Sequence, residues 1–227
     1  MTDAGAGAGA ASLASTLLSP ELADGALVAS QLAATLRPLL FDDHGLEAVA
    51  HASYSHANGF DRFVLSSAAS GQKVRLHAWW PDQPRVAEHV HNHAWDFTSV
   101  VLSGSLRFEL FEWADEGEEG WHYCSHPPVF DGTQHVYPFT PLGKRHIEAR
   151  FSGSLNSGSV YRLDHQVLHR VDIATSDPVV TLMVHSPLRR MTSDIVAPAP
   201  ISAADTVTAF DVPTTRKLLG QLVDLLS

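Results

Sequence analysis

From Leu27 to Leu40 the apolar residues recur at helical spacing, at Val28, Leu32, Leu36, Leu39 and Leu40. This pattern predicts a helix with one face on a core, and Pro38 stands near its end. Upstream, Ser19-Pro20-Glu21 supplies a capping hydroxyl, a first-turn proline and an early acid, a good helix start. Residues 19–58 therefore read as a helical cap. Residues 1–18 read as a flexible segment, because the run MTDAGAGAGAAS has too little apolar surface to offset ordering entropy. The texture changes after Gly59. Segments 60–67, 73–80, 86–93, 97–103 and 105–113 are short, rich in β-branched and aromatic residues, and separated by turn chemistry such as Ser70-Gly71, Pro81-Asp82 and Ser103-Gly104. Further strand-like pieces follow at 134–139, 145–151, 158–163, 167–173 and 179–185, while Trp121–Pro128 reads as a loop. Roughly ten short strands without intervening helices predict an all-β sandwich or barrel over residues 59–193. Residues 194–206 read as a Pro/Ala-rich connection. The leucines at 218, 219, 222, 225 and 226 make a helical stripe in Thr214–Leu226, so 194–227 is expected to be a linker and a helix packed outside the barrel. There is no internal repeat.

Composition narrows the class. At 227 residues and 44% apolar content the chain can build one substantial core. No apolar run approaches the ~20 residues of a membrane-spanning helix, and the first residues lack the basic start and apolar core of a secretory signal. A single cysteine, Cys124, excludes an internal disulfide framework and fits a reducing cytoplasm. The formal charge of −10 argues against general nucleic-acid binding. Fourteen histidines, scattered rather than run together, are the unusual feature.

The densest chemistry is Glu88-His89-Val90-His91-Asn92-His93. Side chains two apart on a strand share a face, so His91 and His93 can offer two imidazoles to one ion. A third ligand must come from a strand close in space, and His169 in Val167-Leu168-His169-Arg170-Val171 lies in such a segment. His89 has the same facing but sits at the strand's entrance, and His165 belongs to the turn before the last segment. Asp96 is three residues beyond His93, and strand parity turns it away.

These motifs resemble those of the cupin superfamily. A His-x-His, a strand, Gly104 and a late histidine on a return strand match its two motifs, with Phe97 and Thr98 standing where the family's usual acid would be. The stretches Val90–Trp113 and Leu168–Pro187 are similar to the cysteine dioxygenase-type thiol dioxygenases, and the resemblance extends upstream through Asp61–Leu65 and Arg75–Trp79. It implies a cupin-type β-barrel, a double-sheet jelly roll, with Fe(II) on His91, His93 and His169 and with Arg62 pairing a substrate carboxylate. A planar guanidinium fork suits that pairing. The chain departs from the family where a Ser-x-His-x-Tyr pattern is expected. There it has Thr181-Leu182-Met183-Val184-His185, and no cysteine lies near Phe97 to crosslink a tyrosine. The first motif also resembles small bacterial cupins of unassigned activity.

Two function classes follow. One is a metal-dependent oxygenase using dioxygen on a small carboxylate-containing substrate. The other is a non-oxidative cupin, a lyase, isomerase or metal-dependent ligand-binding protein, with Zn, Ni or Mn in place of iron. His185, at the family's tyrosine position, shares parity with Met183 and Thr181 and could act as acid or base. Trp95 and Phe97 would form an apolar wall, and parity turns Tyr161 inward. A metal-free structural role is the third reading. No residue specifies an oligomeric state.

Overall fold

The computed structural model describes residues 25–84, 86–115, 121–126, 134–201 and 204–227. The expected flexible segment 1–18 and the helix start at Ser19-Pro20-Glu21 lie outside the described residues. Helix α1 (Gly25–Leu39) buries Val28, Leu32, Leu36 and Leu39, the stripe expected from spacing. A second helix, α2 (Asp43–Ala52), begins where the Asp42 carboxylate accepts the Gly45 N–H at 3.1 Å. Helix α3 (Val212–Leu226) is capped in the same way by Asp211 accepting from Thr214 at 2.8 Å, with Pro213 in its first turn.

The strands are β1 (Tyr54–His56), β2 (Phe60–Ser67), β3 (Lys73–Trp79), β4 (Val90–His91), β5 (Phe97–Ser103), β6 (Ser105–Ala114), β7 (Trp121–His126), β8 (Gln134–Pro138), β9 (Thr140–Asn156), β10 (Val160–Leu163), β11 (Leu168–Asp172), β12 (Val179–His185), β13 (Ser193–Ala197) and β14 (Ala204–Thr208). One sheet runs β1-β2-β3-β12-β5-β10. A second set, β11-β4-β13-β7-β9-β6, closes on itself, and β14-β8 form a short ribbon. Each named pairing is antiparallel. The expected all-β, double-sheet jelly roll is the observed architecture. Gly104 makes the β5–β6 turn, with φ +75° and a position where a Cβ would stand 2.7 Å from the Pro178 carbonyl oxygen. Among the described residues no helix is long and apolar enough to cross a membrane.

Several segments differ from their sequence reading. Of 86–93 only Val90 and His91 are in a ladder; just beyond it, in continuation of the β4–β13 register, Asn92 Nδ2 donates to the Asp194 carboxylate at 2.8 Å and Oδ1 accepts its backbone N–H at 2.8 Å. Trp121–His126 is a strand rather than a loop, paired with both β9 and β13, so ladder bonds on two edges override its polar composition. The connection read at 194–206 contains most of β13 and the start of β14. Tyr54–His56, placed in the cap, is an edge strand.

The two faces of the first sheet carry different chemistry. On β3, Val74, Leu76 and Ala78 join Phe63, Leu65, Val100, Leu102, Val180, Leu182 and Val184 in a cluster with the three helices. The alternate residues Arg75, His77 and Trp79 face the barrel's interior cavity. Helix packing is what seals the outer face. Leu219 of α3, fully buried in that cluster, tests this. Leu219→Ala is expected to cost about 2–5 kcal/mol in urea unfolding, against less than about 1 kcal/mol for the half-exposed Leu225→Ala.

Candidate metal centre

His91 and His169 are directly opposed on β4 and β11, so their rings share a face and their centroids lie 4.6 Å apart. His93 has left the ladder, yet its ring reaches the same point, 5.0 Å from that of His91 and 5.1 Å from that of His169. One nitrogen from each of the three lies within 4.8 Å of the others. The convergence expected from His-x-His on a strand is present, with His93 two residues past His91 and just outside the ladder.

The hydrogen bonds of the rings set which nitrogen is available. His91 Nδ1 is 2.9 Å from the His89 carbonyl oxygen and His169 Nδ1 is 3.1 Å from that of Val167. A carbonyl only accepts, so both Nδ1 atoms carry the proton and both Nε2 lone pairs are left for a cation. Burial, reinforced by the charges of His91 and His169, holds His93 well below its ordinary pKa. Burial followed by His91 lowers His169 to about 3. A coordinating imidazole must be unprotonated, so this donor set fits a divalent transition ion. It supplies no negative charge. Asp96 is turned away as expected, accepting from His165 Nδ1 at 2.9 Å and Arg189 Nε at 2.8 Å. That contact also explains why His165 stands apart from the triad. His89 contributes its carbonyl to His91 and its ring to the cavity lining, but no ligand nitrogen.

The three histidines open into a cavity of about 550 Å³. Arg62, Trp95, Phe97, Tyr161 and Met183, all singled out in the sequence, line it. Trp95 stacks on His93 at 5.2 Å and 11°, and Phe97 meets the same imidazole edge-on at 5.2 Å. Burial pushes the Tyr161 hydroxyl up to about 12, so it remains a proton donor. Two candidates stand elsewhere. Thr181 and His185 are buried but do not line the cavity. The Trp95 indole stacks over His185 at 4.6 Å. His185 donates Nδ1–H to the Ser186 carbonyl at 2.7 Å, and burial followed by Arg75 lowers its pKa to about 2. It is therefore neutral at pH 7, with its one ring proton committed to that carbonyl.

Other cavity residues went unrecognised as site residues in the sequence. Arg75, 4% exposed, places its guanidinium carbon 4.6 Å from the Trp95 ring centre. His77 is the cross-strand partner of Arg62. Arg62, 7% exposed, donates from Nη1 to the Tyr54 hydroxyl. Glu88 is the only acid lining the cavity among the described residues. It accepts the Val171 N–H at 2.9 Å and the Asn58 amide at 3.4 Å, and burial raises its pKa despite His91. Partial burial, followed by Arg75 and Arg62, lowers Lys73 to about 8.

The chain matches no family model and no curated protein sequence. Its fold is similar to solved structures at low identity. Capsular polysaccharide assembling protein CapF from Staphylococcus aureus is 11% identical over 62% of this chain and 30% of its own, with a TM-score of 0.39. Hydroquinone 1,2-dioxygenase PnpCD is 15% identical over 56% and 63%, with a TM-score of 0.35. Drosophila melanogaster CENP-C, solved bound to CAL1, is 14% identical over 66% and 95%, with a TM-score of 0.36. The chain spans about a third to just under two thirds of the first two structures. The functional case therefore rests on the site itself: a jelly-roll barrel in which the imidazoles of His91, His93 and His169 converge at the wall of a cavity that Arg62 and Arg75 also line.

Proposed function

We propose that the protein is a metal-dependent oxygenase of the thiol-dioxygenase-like type, acting on a small carboxylate-containing substrate at a three-histidine Fe(II) site. The observation that carries this reading is the joining, in one cavity, of the His91–His93–His169 donor set with the buried guanidinium of Arg62. An ion held there would supply a Lewis acid with open positions and, as iron, electrons for dioxygen chemistry. The chain's own residues do the rest. Arg62, oriented by Tyr54, is the side chain that would pair with an acid group of the substrate. Trp95 and Phe97 keep water from the His93 side, and Tyr161 offers a hydroxyl proton at neutral pH.

A second reading, a non-oxidative lyase or isomerase, is favoured by Glu88. A buried carboxyl with a raised pKa is a suitable acid or base for proton transfer. Metal analysis of the freshly isolated protein, joined to oxygen-electrode measurements with small thiol and non-thiol carboxylic acids, separates the two. Iron with substrate-dependent oxygen consumption is the expected result. Zinc, nickel or manganese with no consumption under any acid would replace the oxygenase with the second reading.

A further inference from the structure

The strand period arranges the inner face of the first sheet in layers. On β3, His77 and then Trp79 turn to the cavity. Arg62 of β2 lies opposite His77, so Phe60, two residues earlier on β2, stands beside Trp79, and their rings meet at 5.0 Å and 48°. His77 adds its imidazole at 84° to Trp79 and 50° to Phe60. Phe60 and Trp79 belong to one apolar cluster against which Tyr161 and Val171 pack, and all four line the cavity. Val171 is two residues past His169 on β11, on the same face and about 7 Å along the strand. Phe97 joins the two ends: its ring centre is 5.2 Å from that of His93, 5.6 Å from His169 and 5.9 Å from Tyr161. Aromatic surface thus extends from the metal-binding imidazoles, through Phe97 and Tyr161, to the Phe60–Trp79 layer.

We propose that the substrate is a small carboxylic acid carrying one aromatic ring, the ring lying against Phe60, Trp79 and Val171 and the acid group at the metal end. This deepens, and rests on, the reading of the cavity as the metal centre of an enzyme for small acids. Size supports it. About 550 Å³ lies within the roughly 300–1,000 Å³ of sites for drug-sized ligands, and a two- or three-carbon acid would leave the apolar layer facing water. Spacing supports it as well. The step of about 7 Å from His169 to Val171 suits a ring joined to its acid group directly or through one carbon. Geometry selects a flat ring over a saturated one. The tilted and edge-on contacts among Phe60, His77 and Trp79 are those that aromatic pairs prefer, and a bound ring extends the same pattern.

The test is calorimetric titration of the Zn(II)-loaded full chain with phenylacetate, cyclohexylacetate and acetate. Phenylacetate is expected to bind about 10-fold or more tightly than acetate, from burial of the ring, and about threefold or more tightly than cyclohexylacetate, from ring–ring geometry. Phe60→Leu keeps an apolar side chain but removes a ring. It should erase the preference for phenylacetate over cyclohexylacetate, leave acetate within about threefold and retain Zn(II) stoichiometry. Should that variant fail to fold, Val171→Phe carries the comparison: it fills the space of the bound ring from β11 and should bring phenylacetate down to about the level of acetate. Phenylacetate no tighter than acetate, cyclohexylacetate equal to phenylacetate, a preference that survives Phe60→Leu, or undiminished phenylacetate binding in Val171→Phe would each overturn the proposal. Retained Zn(II) and acetate binding in those cases would leave the reading of a metal centre for small acids standing, whereas absence of both would remove it as well.

Discussion

Replacing His169 with alanine is expected to lower Zn(II) or Fe(II) affinity by at least about 100-fold. Loss of a residue that merely orients a ligand costs 10–100-fold, and here one of three donors disappears. His169 is 4% exposed and its Nδ1 proton is committed to the Val167 carbonyl, so its Nε2 is pre-aimed and no neighbouring donor replaces it within the triad. Chelator-competition titration reads the affinity, and circular dichroism of the metal-free variant separates ligand loss from misfolding. The stabilisation by added metal, which grows with ligand concentration over Kd, should vanish together with the affinity. Undiminished metal binding in a folded His169→Ala protein would dismantle the site.

Acidification should destabilise the metal-free protein from about pH 6.5 downward. Burial first, then Arg62, lowers His56 to about 3 and His77 well below its ordinary value, and burial followed by Arg75 lowers His185 to about 2. Between those values and about 6.5 the unfolded chain binds protons that the native state refuses, so unfolding free energy falls as pH falls. Each such histidine contributes up to about 1.4 kcal/mol per pH unit. Together the three are expected to remove roughly 3–6 kcal/mol by pH 5, a large part of a typical 5–15 kcal/mol stability. Glu88 acts in the opposite sense. Its raised carboxyl pKa means the native state takes up a proton first, recovering part of the loss. Denaturant titrations at pH 7, 6 and 5 measure the slope, which His77→Gln should reduce. A midpoint unchanged between pH 7 and 5 would count against neutral imidazoles in the cavity wall.

The helices and most strands were legible because their apolar residues obey one period: Val28, Leu32, Leu36 and Leu39 all turn to the core. The triad was legible because two-residue spacing and a distant matching strand are local features. What resisted reading was non-local. Trp121–His126 has no apolar alternation and becomes a strand only by pairing on both edges. On β3 the alternation was visible but its sense was inverted: Val74, Leu76 and Ala78 go to the helices, so the polar alternates Arg75 and His77 point inward to the site. His185 was placed in the cavity by the parity it shares with Met183, and that rule could not anticipate an indole lying across its face.

The knot of Asn92, Asp194 and Arg190 has a bearing on how the centre comes into being. Asn92 is fastened by a backbone and a side chain more than a hundred positions later, and Arg190 donates both to Asn92 and to the His93 carbonyl. During synthesis all three imidazoles precede Asp194, so this fastening cannot form until position 194 has been made. The fastened form of the centre therefore waits on a residue made later than any of its three ligands.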